Sequence, residues 1–390
     1  MNIIFRSINK KNIIAFSLIS LGLSVLLVGE ITYLARLSLF EGISFNQLLI
    51  GITFIFTFVI IEIFTVEAQG FKLLFFIIPI SFSLFWSENF DYGLYKIGNL
   101  FLSSYIVLVF FVAAIKLTSI QFLCRTIVSL LMPLLIITVL FKIQNGFFDR
   151  EVLFFLNGPI VFGRLMGIGA MLCLMDKRLK LKSLYFVIFT MAVIWTASKG
   201  PILALFIASL VYVLFSLSLR KQIVQLIIVI ISALLVLENF DVLKDFGLSR
   251  VVNAITYLFL ENENNLTSNS IDVRQAIAFE SIELFLINPI FGVGLGDWFN
   301  TLHPSVTYPH NLFLEVFGEG GILLGFLFCI PYLIFLKNPN SILFYVVFFL
   351  LIAQQFSGDI LDSRYWLIFS ILSFCYCKNI GNIKSNKIHY

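Results

Sequence analysis

Charge is scarce in this chain of 390 residues. Only 12% are Asp, Glu, Lys or Arg, about half the share of a soluble globular domain. Hydrophobic residues make up 60%, with 46 Phe alone, and the mean hydropathy is +1.01. A soluble core of this size cannot hide so much bulky apolar surface, so a water-soluble fold is excluded and lipid must cover much of the chain. The five Cys (124, 173, 329, 375 and 377) lie in or beside apolar runs, and none has Cys-x-x-Cys spacing. A disulfide framework and a zinc site are thereby disfavoured. The net charge of +4 is small and its basic residues are scattered through the loops, which argues against nucleic-acid binding. The N-terminus has no small-residue cleavage site, so a retained first span is expected. No internal repeat is visible. The first two outer loops, Arg36 to Asn46 and Trp86 to Asn99, contain no Asp-x-Asp or Glu-x-Asp pair, which argues against a metal-bridged diphosphate site near the N-terminus.

What is present is a succession of apolar runs near the length a membrane-spanning helix needs, about 20 residues. They predict twelve spans, near 12–34, 47–65, 71–86, 99–118, 122–142, 158–175, 183–197, 201–218, 222–238, 311–336, 341–356 and 364–377. The expected fold is therefore an all-α polytopic membrane protein, and the shorter spans imply tilt or local thinning. Sixteen Lys and Arg fall on one set of alternate loops and nine on the other, with Arg164 inside a span. The richer side is cytoplasmic by the positive-inside rule, which puts both termini inside.

One segment breaks the regularity. Asn239 to Tyr308 is a single outer loop of globular composition. It divides the chain into spans one to nine (1–238), the large loop (239–308) and spans ten to twelve (309–390). Asn262 to Ser270 reads as a mobile polar turn. Asp272 to Ile287 then reads as a helix, with Asn288-Pro289 as its stop. Ile277, Ser281 and Leu284 share one of its faces.

A few polar residues stand where polarity is expensive. Arg164 lies about 10 Å below the outer start of span six. A guanidinium there needs a cavity or a partner: an anion reached from outside, or a carboxylate such as Glu315. Lys199, in the tight turn Thr196 to Pro201, is either a point charge for phosphate or a solvated loop charge. Arg274 opens the loop helix. The glycines of Pro289-Ile290-Phe291-Gly292-Val293-Gly294 allow a sharp bend with close backbone approach to a ligand, or a plain turn. No strand precedes them, so a dinucleotide-binding reading fails. His310 and Asn311 head span ten, where His310 could take a hydroxyl proton or help cap the helix. His303 is a weaker candidate for that role. Glu315 and Glu319 share a helix face and imply a polar cavity or ionic partners. Asp359 and Asp362 read as a solvated, self-paired turn.

Arg274, Pro289, Gly292, Gly294, His310, Asn311, Glu319, Gly320, Gly321 and Gly325 together resemble the shared core of the O-antigen polymerase and O-antigen ligase superfamily (Wzy/WaaL type). Ser198-Lys199-Gly200 is similar to a Ser-Arg-Gly turn common upstream, with Lys in place of Arg. The resemblance implies a C-type glycosyltransferase fold in a bacterial inner (plasma) membrane, with the active site facing the periplasm or outside. It implies a donor and an acceptor that are both glycans linked to undecaprenyl diphosphate, no metal and no cofactor, and a chain-length regulator as an accessory partner. His310 and Arg274 would be catalytic; Arg164, Lys199, Arg250, Asn311, Glu315, Gly292 and Gly294 would bind diphosphate or glycan. A single His before Asn, and the high Phe and Ile content, favour polymerase over ligase. The competing class is a lipid-linked oligosaccharide flippase. Such folds show inverted repeats and paired helix breaks, and neither is visible.

Overall fold

The computed structural model describes residues 10–28, 38–40, 43–64, 71–147, 158–176, 179, 181–216, 265–298 and 308–376. The helices are α1 (Lys10–Val28), α2 (Phe45–Phe64), a 3₁₀ helix (Phe71–Trp86), α3 (Phe90–Leu117), α4 (Ile120–Asn145), α5 (Pro159–Met175), α6 (Lys182–Trp195), α7 (Lys199–Ser216), α8 (Asn265–Ile287), α9 (Leu312–Leu333), a short 3₁₀ turn (Ile334–Lys337), α10 (Phe344–Ser357) and α11 (Arg364–Tyr376). One antiparallel pair, β1 (Ser38–Phe40) with β2 (Ile43–Ser44), precedes α2. The chain is an essentially all-helical polytopic membrane protein. Among the described residues, six helices are long and apolar enough to cross a membrane, and several shorter apolar helices accompany them. Eleven of the twelve expected spans have a helical counterpart; the ninth, 222–238, lies outside the described residues.

Two differences have local causes. The Phe71–Trp86 segment winds as a 3₁₀ helix with Pro79 inside it. At a rise of about 2.0 Å per residue, such a helix of this length reaches about 32 Å, enough for a hydrocarbon core of about 30 Å. Narrow winding thus does there what tilt or thinning was expected to do. The second difference is α3, which starts at Phe90 rather than near 99. Its start is capped from far away. Asp297 Oδ2 accepts from Glu88 N (2.9 Å) and Oδ1 from Asn89 N (2.8 Å). The bond to Asn89 satisfies the N-cap donor that the helix start leaves unpaired, and the bond to Glu88 fixes the residue before it. Lys96, counted as a loop charge in the sequence, therefore lies inside a helix and is 1% exposed.

The core is one continuous apolar cluster, in which α1 lies along α3, α5 along α6, and α10 along α5 and α7. A satellite cluster forms from Ile277, Leu284 and Trp298. Trp298 Nε1 donates to Ser281 Oγ (3.1 Å), so the predicted Ile277–Ser281–Leu284 face is the buried face of α8. That helix starts at Asn265, within the stretch expected to be a turn. Adding residues to an existing helix is far easier than nucleating one.

Candidate functional site

A helix leaves its last four carbonyls without intrahelical partners. At the end of α10 all four are taken. Gln354 O accepts from Gly358 N (3.1 Å), Gln355 O from Asn311 Nδ2 (3.3 Å), Phe356 O from Arg274 Nη1 (3.1 Å), and Ser357 O from Arg164 Nη2 (2.6 Å). Three candidates from three separate parts of the sequence thus meet on three successive residues. The negative end of a helix dipole suits two guanidinium groups. Arg164 also donates to Asp362 Oδ2 (2.8 Å). Its carboxylate partner is therefore Asp362, not Glu315, and this pairing makes a deep Arg tolerable. The Arg164 and Asp362 side chains are 4% and 23% exposed and Arg274 is exposed, so the cluster runs from buried to accessible.

Asn311 caps α9: its Oδ1 accepts from Phe313 N (3.0 Å) and Leu314 N (3.1 Å). His310 takes no part in the cap. Its φ is +58°, a conformation few side chains adopt outside turns and functional sites. Its ring stands edge-on to Tyr308 at 4.5 Å. Among the described residues, Nδ1 is buried without a hydrogen-bond partner. Burial, with the Arg274 charge second, pushes its pKa down to about 4, so the imidazole is neutral near pH 7. Burial raises the Tyr308 phenol, reinforced by Asp362 and Asp359 and opposed by Arg164. Asp359 is pushed up to about 8 by burial, then by Asp362 and Glu315. Its Oδ1 accepts from Asp362 N (2.6 Å). The Asp pair is thus self-paired as expected, but largely withdrawn from solvent.

The Lys199 turn packs beside this cluster. A Cβ on Gly200 would lie 2.9 Å from Phe356 Cβ, and one on Gly163 would lie 3.1 Å from Pro201 Cβ and 3.2 Å from Thr196 Oγ1. Ala197 holds φ +47°, a second left-handed non-glycine residue at this end of the bundle. Lys199 is half-buried and opens α7.

The glycine run takes another place. Helix α9 is broken at Gly321, whose φ is +63° and ψ −172°. The Pro289–Gly294 segment fills the break. Val293 N donates to Gly318 O (3.0 Å), Gly294 N to Glu319 O (3.0 Å), and Ile322 N to Pro289 O (2.8 Å). A Cβ on Gly292 would run into the backbone of Glu319 and Gly321. The close approach expected of Gly292 and Gly294 is thus to the chain's own helix, where it re-satisfies backbone groups that a membrane-level break would leave bare.

Glu315 also stands behind the cluster rather than within it. It and Glu319 are 0% exposed. Lys96 Nζ bridges them, at 2.5 Å to Glu315 Oε1 and 2.8 Å to Glu319 Oε1, and Glu315 Oε2 accepts from Ile360 N (2.9 Å). Reading the sequence missed Lys96, Tyr308 and the structural weight of Asp362. A signal for Lys96 was available: two acids on one helix face at membrane depth require a cation. Arg250 and His303 lie outside the described residues. A cavity of about 700 Å³ sits at the opposite end of the bundle, lined by Gln121, Asp176, Tyr212, Ser216 and Tyr345 among others. None of the candidate residues lines it.

Residues 184–329 match the family model Wzy_C, described as O-antigen ligase, in keeping with the Wzy/WaaL superfamily. The match covers less than half of the chain. It includes Lys199, Arg274, the glycine run, His310, Asn311, Glu315 and Glu319, and leaves out Lys96, Arg164 and Asp362. No curated protein matches the chain.

Proposed function

We propose that the chain is a surface-polysaccharide (O-antigen) polymerase of the plasma membrane, with its site end outside and both termini in the cytoplasm. It would transfer a glycan from undecaprenyl diphosphate to the non-reducing sugar of another lipid-linked repeat unit. The observation that carries this reading is the convergence of Arg164, Arg274 and Asn311 on Gln355–Ser357, beside a neutral His310. A diphosphate leaves as a stable anion and needs fixed positive charge rather than a general acid. Guanidinium forks match its oxygens. In the transfer, the acceptor hydroxyl oxygen bonds to the anomeric carbon. The bond from that carbon to the diphosphate oxygen breaks, and its electron pair stays with the diphosphate. The hydroxyl proton passes to the His310 imidazole. A chain-length regulator is the expected partner.

The description of the matched family model favours a second reading, a ligase that passes the glycan to lipid A core. A flippase is less well supported. Transporter folds place broken helices in pairs around a substrate, whereas the break in α9 is filled by the chain's own backbone.

Deletion of the gene in a strain that makes the acceptor core distinguishes these readings on one gel. Loss of a polymerase leaves core bearing a single repeat unit. Loss of a ligase leaves bare core and long lipid-linked chains. Complementation with Arg274→Ala or His310→Ala is expected to restore neither pattern to normal; full ladders from both would refute the site.

A further inference from the structure

Lys96 belongs to none of the motifs that carry the family resemblance, yet it is bonded to the two acids that stand behind the site. Its ammonium lies 5.5 Å from the Tyr92 ring centre and binds both Glu315 and Glu319. Glu315 touches the two walls of the cluster. Its backbone N donates to Asn311 O (3.1 Å), one turn from the His310–Asn311 corner. Its Oε2 holds Ile360 N in the turn that carries Asp362, the partner of Arg164. Asp362 O in turn accepts from Gln354 Nε2 (2.9 Å), at the foot of the three shared carbonyls. Glu319 has no bond to that turn. Its neighbours are Lys96 and the glycine segment.

We propose that Lys96 and Glu315 form a positioning pair for the transfer site, Lys96 fixing the carboxylate that ties the α9 corner to the 358–363 turn. This rests on the transferase reading. Lys96 also cancels acidic charge that would otherwise stand behind the guanidinium groups and repel an anionic donor.

The isosteric changes Glu315→Gln and Glu319→Gln separate positioning from bulk stability. Each removes one negative charge from the same triad, four residues apart, and leaves Lys96 one acid to pair with. Full-length protein in lipid nanodiscs is assayed with a synthetic undecaprenyl-diphosphate repeat unit as donor and acceptor, alongside its thermal stability. A displacement of about 1 Å near reacting atoms is worth on the order of 10²-fold in rate. Glu315→Gln is expected to lose about ten-fold or more in kcat/KM, and Glu319→Gln to stay within about three-fold of wild type. Lys96→Met is expected to fall with Glu315→Gln, and Lys96→Arg, which keeps a cation between the acids, to recover most of the rate. Equal kinetics for the two Gln variants overturn the proposal, as does a Lys96→Arg variant as inactive as Lys96→Met. If Lys96→Met fails to insert, the Gln pair and Lys96→Arg still decide it. Wild-type protein that transfers nothing overturns the transferase reading and this inference with it.

Discussion

Arg164 and Arg274 are 110 positions apart in sequence and donate to adjacent carbonyls, those of Ser357 and Phe356. Neither carbonyl has a partner within its own helix. The helix end thus holds both guanidinium groups side by side, where an incoming diphosphate would compete for them.

The two arginines should fail differently. Arg274 is exposed and shares no ion pair in the described residues, so Arg274→Ala should insert at wild-type levels yet lose about 10²–10³-fold in transfer rate. Arg274→Lys should recover only part of this, because an ammonium lacks the planar fork. Arg164→Ala strands Asp362 and a buried carbonyl, and should lower stability by about 3–5 kcal/mol as well. Thermal melting alongside the transfer assay checks both. Equal stability losses in the two variants would contradict the burial difference.

His310 sets a pH signature. Its pKa in the fold, about 4, is below the ordinary value near 6.5. The folded state thus binds this proton less tightly than the unfolded one. The associated stability is present above about 6.5 and declines as pH falls through 4. With His310 neutral as proton acceptor, kcat/KM should hold down to about pH 5 and then fall. Burial is the larger cause of the low value and the Arg274 charge the smaller; a donor diphosphate beside Arg274 would offset the latter, so the acid limb of kcat should lie at higher pH than that of kcat/KM. Identical limbs for the two, or a kcat/KM limb near 6.5, would contradict this.

Gly321→Ala tests the filled break. The conformation at Gly321, φ +63° and ψ −172°, is essentially reserved for glycine and costs another residue about 1–3 kcal/mol, and its Cβ would also strike the Ile290 carbonyl and Gly292 N. We expect a lower melting temperature and reduced insertion. An Ala variant that melts like wild type would mean that the break is not held as described.

On the proposed mechanism transfer should not need a divalent ion, because guanidinium charge would take the place a metal has in other diphosphate sites. Activity in nanodiscs should be unchanged after chelation with excess EDTA. Loss restored by Mg²⁺ or Mn²⁺ would count against the mechanism.

Local order alone accounts for most of what was legible beforehand. Eleven apolar runs became helices because burial of backbone in lipid depends on a continuous stretch of sequence and little else. The Asn288-Pro289 stop and the Ile277–Ser281–Leu284 face likewise follow from neighbours a few residues away. Arg164 could be singled out as a charge in an apolar setting, Lys199, His310 and Asn311 by their places in a turn and at the head of a span, and Arg274, in a loop of globular composition, by the motif it shares with the glycines and His310.

Helix packing decided which group each of these charges meets. Arg164 pairs with Asp362, and Glu315 with a Lys that looked like a loop charge. Gly292 and Gly294 meet the break in α9 rather than a ligand. Each of these contacts except that break joins residues about 200 positions apart. A charge at membrane depth announces that it needs a partner, but only the arrangement of the helices brings one within bonding distance.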